Sequence, residues 1–487
     1  MNSGHAMLEI PRGSQREWDG LRVAILGAGR SGTAVAEALA RLGAAVNLYD
    51  DASESALDAE RIAAVRAAGG GIEAPAGIHD NAMADCDLLV VSPGVSVQHR
   101  LMQAALRLGI PIWSEVEVAW RLTRARILAV TGTNGKTTVA TLAHRMLCSA
   151  GFDAALAGNI SADAVKQTFT EASRHFTEPQ AIIVLELSSF QLENCHTFAP
   201  DVAVATNITS DHLDRYATRG AYVAAKARLF ARQSSTDAAV LNRDDAGCLE
   251  VFGGVPAAQV LWFTRECRLP AAAVGAWVEA DRIAARLKPH GQEVFLAELP
   301  LPQALEGAHQ QENVMAAALA AMSMGATPEA ISAALAEFTP VPHRMEPVAF
   351  FRGVRYINNS MCTNVDAAIA SIRTAHALGP VVAIMGGAAK GESYTELGPS
   401  VVPLLKAAIT IGQTGPAMAA SLRAAGLEAV SAAESLRQAV LDAARLARAG
   451  DVVILCPAAA SFDMFSNFED RGTQFRQLAN TIAAGEA

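Results

Sequence analysis

The sequence has no surplus of positive charge: 39 Lys and Arg face 49 Asp and Glu, a formal net charge of −10. A chain of that sign lacks the basic field that holds a polyanion, which argues against nucleic acid as a partner. It also lacks any unbroken apolar run near the 18 or so residues of a membrane span, although 51% of its residues are hydrophobic and the mean hydropathy is +0.22. No membrane insertion is expected. The opening MNSGHAMLEIPRGSQREW has neither the apolar core nor the small-residue cleavage site of a secretion signal. The seven cysteines, at 86, 148, 195, 248, 267, 362 and 456, form no CxxC or Cys/His cluster. They read as reduced, mostly buried thiols in a cytoplasmic chain. Internal repeats and low-complexity tracts are missing as well.

What the chain does have is length and alternation. Its 487 residues exceed what one core organises, so two to four domains are expected. Short β-branched runs such as LRVAILG (21–27), RILAVTG (126–132), AIIVLELSS (181–189) and GPVVAIMGG (379–387) alternate with Ala/Leu-rich helical stretches. That alternation predicts an α/β fold of parallel sheets covered by helices. IPIWSEVE (110–117) and the proline-bearing FTPVPHRMEPV (338–348) punctuate it, giving three domains: 1–114, 115–340 and 341–487. Residues 249–305 read as an irregular insertion or small sheet before a helix opening at GAHQQENV.

Two glycine loops carry chemistry. Gly27-Ala-Gly29-Arg-Ser-Gly32 follows a strand and precedes a helix, and Asp50 ends the next strand, close to the dinucleotide fingerprint of a Rossmann-like domain. By itself this leaves an NAD-dependent oxidoreductase open. The second loop, Thr131-Gly132-Thr133-Asn134-Gly135-Lys136-Thr137-Thr138, runs from a strand into a helix and predicts a P-loop-type ATPase domain. Backbone N–H groups and the helix start can cradle phosphates, Lys136 can reach the β/γ oxygens, and Thr137 can hold Mg²⁺. Val130 occupies the position where the standard P-loop has its first glycine, which disfavours a generic kinase or GTPase. Glu186 ends the strand IIVLE on the carboxyl side, where open α/β sheets bind ligands, and is a natural Mg²⁺ partner for Thr137.

TGTNGKTT is similar to the ATP-binding motif of the Mur ligase superfamily, which includes the cell-wall amino-acid ligases and folylpolyglutamate synthetase. GNI (158–160), ELSSFQLE (186–193), TNITSDHLDRY (206–216), AAKARLF (224–230), PHR (342–344), MGGAAKGE (385–392) and PAAASFDMFSNFEDRG (457–472) agree in order and spacing. The resemblance spans nearly the whole chain, and ELSSFQLE, DHLDRY and the SFDMF ending are most similar to the glutamate-adding branch.

The resemblance implies an ATP- and Mg²⁺-dependent ligase, most simply a monomer with a Rossmann-like C-terminal domain. Its substrates would be UDP-N-acetylmuramoyl-L-alanine and glutamate. It implies Lys136, Glu186, His212 and a carbamylated Lys226 as the catalytic and metal set with Thr137, and Asn313, Arg344 and Asn359 at ATP. Ser31, Ser92, Gly94, Asn159 and His212 fall at the UDP-sugar, where the dinucleotide-like loop takes a new meaning and Asp50 becomes only a strand-end residue. Thr363, Lys390, Ser461 and Phe468 fall at the glutamate. Where the family usually has D-S-K-A-T-N, this chain has Asn359-Ser360-Met361-Cys362-Thr363-Asn364. The lost cation leaves D- and L-glutamate both open, beside a folylpolyglutamate-synthetase-like ligase or a non-catalytic ATP-binding protein.

Overall fold

The computed structural model describes residues 8–73, 80–160, 167–209, 215–216, 218–253, 258–270, 273–279, 282–287, 295–300, 308–338, 342–389 and 393–484. Among these the chain folds as α/β around three sheets. It divides into a first compact unit (1–208, 222–302 and 312–337) holding two of the sheets and a second (209–221, 303–311 and 338–487) holding the third.

The first sheet comprises β1 (Arg22–Leu26), β2 (Ala45–Tyr49), β3 (Gly71–Glu73), β4 (Leu88–Val91) and β5 (Ile112–Ser114), parallel throughout in the order 3-2-1-4-5. The order reverses beside β1, so a crevice opens at its carboxyl end, where such sheets bind ligands. The glycine loop after β1 sits there because Gly32 lies against the Gly27 carbonyl, with no room for a side chain.

The second sheet contains β6 (Arg126–Thr131), β7 (Ala154–Gly158), β8 (Ile182–Glu186), β9 (Val202–Ala205), β10 (Ala238–Asn242), β11 (Gln259–Thr264), β12 (Gly275–Glu279), β13 (Arg282–Leu287) and β14 (Phe295–Pro300), in the order 14-13-12-11-10-9-6-8-7. Its inner strands β8, β9 and β10 are buried at every position, as strands covered on both faces must be. The insertion expected at 249–305 is instead the outer part of this sheet. β11 and β12 pair parallel to it, and β12, β13 and β14 continue it antiparallel. Their alternation was obscured by Pro and Gly, two of which, Gly275 and Pro300, stand at the ends of β12 and β14.

The second unit holds β15 (Glu346–Phe351), β16 (Val354–Asn358), β17 (Val381–Gly386), β18 (Leu405–Ile411), β19 (Val430–Ala432) and β20 (Val452–Leu455), in the order 15-16-20-17-18-19. Only the β15–β16 pairing is antiparallel. Apolar clusters cover both faces of this sheet, one including Ile372, Met418 and Leu422, the other Val440 and Phe475.

Candidate active site

The phosphate-type loop lies between β6 and the helix Lys136–Ser149. Gly132 has φ +148° and Gly135 has φ +86°, backbone conformations that suit glycine, and Gly135 lies tight against the Asn313 side chain. The end of β9 props the loop open from below. Thr133 N–H donates to the Asn207 carbonyl (2.8 Å), Asn134 N–H to Asn207 Oδ1 (2.9 Å), and Thr206 Oγ1 to the Asn134 carbonyl (2.5 Å). Lys136 Nζ folds back onto the Thr133 carbonyl at 2.9 Å, so its ammonium hangs over the loop where phosphates would lie.

The Thr137 hydroxyl donates to Glu186 Oε2 at 2.6 Å. Both residues are buried, and Glu186 is 3% exposed. A strand-end carboxylate and a helix-start hydroxyl thus converge as hard oxygen donors, the kind Mg²⁺ takes together with phosphate oxygens. Among the described residues no group of three His, Cys, Asp or Glu forms a metal cluster, so a cation here would also draw on the nucleotide. Lys226, 2% exposed, donates to the Gly132 carbonyl at 2.8 Å and sits 4.7 Å over the Tyr222 ring. The Tyr222 hydroxyl in turn lies 3.2 Å from Thr133 Oγ1. His212 lies outside the described residues.

Beside this loop is a cleft of about 810 Å³. It brings together Ser31, Ser92, Gly94 and Asn159, the four residues expected at the UDP-sugar besides His212. Ser92 Oγ donates to the Gly27 carbonyl (3.0 Å), fixing the glycine loop to the end of β4, and Asn159 N–H donates to the Glu186 carbonyl (2.9 Å), tying the cleft to the phosphate loop. Asp50 does more than end a strand. Its carboxylate accepts from Ala28 N–H at 2.6 Å and Ala52 N–H at 2.8 Å, bracing the glycine loop from below. Sequence reasoning passed over Arg30, His99 and Gln191, which also line the cleft. Arg30 lies inside the quoted glycine loop and Gln191 inside ELSSFQLE, so both were in view; nothing in the sequence marks His99.

Gln191 caps its own short helix with Ser188 and donates to the buried Glu115 carboxylate at 3.0 Å. Burial pushes the Glu115 carboxyl up to about 7, against the opposing pull of the Gln191 hydrogen bond.

The second unit gathers its own set. Arg344 sits between His343 (φ +63°) and Met345 (φ +44°), two non-glycine residues in left-handed backbone. Such strain persists only where neighbours impose it. Here Glu346 Oε2 accepts from His343 N–H (2.8 Å) and Asn359 Oδ1 accepts from Met345 N–H (3.0 Å). Asn359 is buried, its amide nitrogen donating to Ser371 Oγ (2.8 Å), and it braces the Arg344 turn. Thr363 is half-buried and Ser461 buried, while Phe468 opens the helix Phe468–Ala484 with its ring edge-on to His343. Lys390 lies outside the described residues. All seven cysteines are free thiols, four of them buried, with Cys148 and Cys267 exposed.

Three family models match this chain: the Mur ligase MurD-like N-terminal domain over residues 21–114, the Mur ligase middle domain over 130–321 and the Mur ligase glutamate ligase domain over 343–459. The UDP-N-acetylmuramoylalanine–D-glutamate ligase of Pelotomaculum thermopropionicum is 42% identical, across 95% of this chain and 98% of its own length. The chain belongs to the Mur ligase family. The enzyme of the same name from Koribacter versatilis is 38% identical, across 96% of this chain and 99% of its own. Among solved structures, the MurF ligase of Thermotoga maritima in complex with ADP aligns with a TM-score of 0.58 at 17% identity, covering 99% of this chain and 100% of that one. A pseudomurein peptide ligase type C from Methanothermus fervidus aligns at 0.57 and 15%, covering 95% and 100%. At these identities the structures speak for the three-sheet Mur ligase fold alone.

Proposed function

We propose that this Mur ligase joins D-glutamate to UDP-N-acetylmuramoyl-L-alanine, with conversion of ATP to ADP and phosphate, in the cytoplasmic synthesis of peptidoglycan precursor. The names of its relatives and the match to the glutamate ligase model point to this reaction. The observation that carries it in this chain is the Thr137–Glu186 contact at the phosphate loop, next to a cleft of nucleotide-sugar size. In this reading residues 1–114 hold the UDP-sugar, 115–340 hold ATP, and 341–487 bring the amino acid.

The acceptor carboxylate attacks the γ-phosphorus of ATP, ADP leaves, and an acyl phosphate forms. The glutamate amine then attacks the acyl carbon, phosphate departs, and the nitrogen loses its extra proton to leave an amide. Lys136 neutralises charge on the transferring phosphoryl group from its perch over the loop, and the loop N–H groups orient it. Thr137 and Glu186, with His212 and a carbamylated Lys226, would hold Mg²⁺, which supplies Lewis-acid neutralisation of the phosphate oxygens when bound. Arg344 serves at the nucleotide, held ready by its strained turn. Thr363, Lys390, Ser461 and Phe468 receive the glutamate, with Asn313 at the adenine.

The test is phosphate release from ATP and UDP-N-acetylmuramoyl-L-alanine with D-glutamate, L-glutamate or neither, with product mass checked. Release that requires D-glutamate supports the reading. Release with L-glutamate only, or silence with both, overturns it.

A further inference from the structure

Among the described residues Arg471 is the largest charged side chain at 0% exposure, and it lies inside the PAAASFDMFSNFEDRG segment, which assigned it no role. It belongs to the helix Phe468–Ala484, and its guanidinium donates five hydrogen bonds. Nε reaches Ser360 Oγ (3.0 Å) and Nη2 reaches the Ser360 carbonyl (2.9 Å). Nη1 reaches the carbonyls of Ala459 (3.2 Å) and Ala460 (3.0 Å), and Nη2 also reaches Ala459 (3.2 Å). Arginine has five N–H groups in a rigid fork, so a full set of donors is spent on two separate stretches of chain.

Those stretches are the ones that carry the amino-acid side of the proposed reaction. Ser360 lies three residues before Thr363, and Ala460 precedes Ser461. A third stretch is drawn in, because Ala388 N–H donates to the same Ala460 carbonyl (2.9 Å), and Gly387 (φ +154°) leaves no room for a side chain against it. The helix start itself closes the ring, since Ser360 Oγ donates to the Phe468 carbonyl at 2.7 Å. The loop after β20 does not adopt its shape freely: Ala458 stands at φ +54°, held by its N–H donating to the Cys362 carbonyl (3.1 Å). Every acceptor of Arg471 is a neutral oxygen, and no ion pair to a carboxylate forms among the described residues. The hub is thus an enclosed cation whose hydrogen bonds all go to neutral oxygens, with the Asp463 carboxylate acting on it through space, among loops that would receive a dicarboxylate.

We propose that Arg471 is the positioning residue of the amino-acid site: it fixes the Thr363 and Ser461 loops in one geometry and lends them positive charge that favours an anionic amino acid. This rests on the proposed glutamate-adding reaction. Arg471 touches no substrate in this account and acts through the loops it joins.

The test uses the full chain with Arg471→Lys, Arg471→Gln and Ser360→Ala, measuring KM separately for glutamate, ATP and the UDP-sugar. The Lys variant keeps charge but loses the fork; the Gln variant loses the charge. We expect KM for glutamate to rise at least tenfold in Arg471→Lys and further in Arg471→Gln, with KM for ATP and the UDP-sugar within twofold of the parent. Ser360→Ala, which removes one acceptor without burying a stranded charge, should raise KM for glutamate severalfold and decides the matter if the Arg471 variants do not fold. A fall in kcat with all three KM values unmoved, or an equal rise in all three, overturns the proposal. If the parent itself fails to turn over with glutamate, the reaction assigned above has failed instead.

Discussion

Glu115 allows a sharp test of the first unit. Its carboxyl is 3% exposed at the start of the helix Glu115–Leu122, and its pKa is raised from 4.5 to about 7 by burial. A raised acid pKa means that the folded state holds a proton the unfolded chain releases. The stabilisation is therefore present below the unfolded value near 4.5 and is lost as pH rises through about 7. At 1.36 kcal/mol per pKa unit the full loss is about 3 kcal/mol, of which about 2.5 kcal/mol falls between pH 5 and pH 8.5. Glu115→Gln removes the titration while keeping an oxygen to accept from Gln191 Nε2. Its new amide N–H₂ stands where Glu115 Oε2 has no partner, at a cost of about 1 kcal/mol, but that cost does not depend on pH. The stability of the variant relative to the parent should accordingly climb by about 2.5 kcal/mol from pH 5 to pH 8.5. All five tryptophans (18, 113, 120, 262 and 277) lie in the first unit, so tryptophan fluorescence in a urea titration reads this unit and not the second. With a slope of about 3 kcal/mol per molar, the midpoint difference should widen by about 0.8 M. A difference that stays constant across that pH range refutes the argument.

Lys136→Ala should lower turnover about 10²–10³-fold with the circular dichroism spectrum unchanged, as expected of a lost charge stabiliser at a transferring phosphoryl group; near-normal turnover refutes the phosphate role. Asp50→Ala frees the Ala28 and Ala52 amides. It should raise KM for the UDP-sugar roughly tenfold, about 1.4 kcal/mol, with KM for ATP unmoved, and steady-state kinetics with each substrate varied will tell. Gly132→Ala forces a side chain against Thr206 in left-handed backbone and should cost about 2–3 kcal/mol, read as a loss of thermal stability and of nucleotide binding together.

The strand-loop-helix units at 126–149 and 22–41 were legible because local chemistry dictates them: β-branched runs make the strands, and glycines open a turn that an ordinary side chain would block. Glu186 was legible for a similar reason, as a lone acid at the end of an apolar run. What could not be read were partners distant in sequence. Nothing in the string links Asp50 to Ala28, Gln191 to Glu115, or Arg471 to Ser360, because each contact is created by strands brought together through tertiary packing. Asn359 shows the converse. Its place in a family motif suggests a ligand contact, and the motif gives no sign that its side chain also braces Met345. The outer strands β11 to β14 were hidden by the punctuation between them.

The joint between the first two sheets also bears on engineering. Glu117 accepts from three successive backbone N–H groups, of His196, Thr197 and Phe198, and pairs with Arg121, which in turn reaches the Ile10 carbonyl and lies 4.4 Å over Trp113. Arg12 donates to the Thr123 carbonyl at 3.1 Å, stitching the start of the chain across the same joint. A chimera cut near residue 114 would part Arg121 from Ile10 and Trp113, and Arg12 from Thr123, and leave the buried Arg121 without its partners from the first sheet. In recombination terms the first two sheets are one heritable block, and on the proposed domain roles a crossover meant to exchange amino-acid specificity between relatives belongs near Glu337, the last point at which the chain passes between its two compact units.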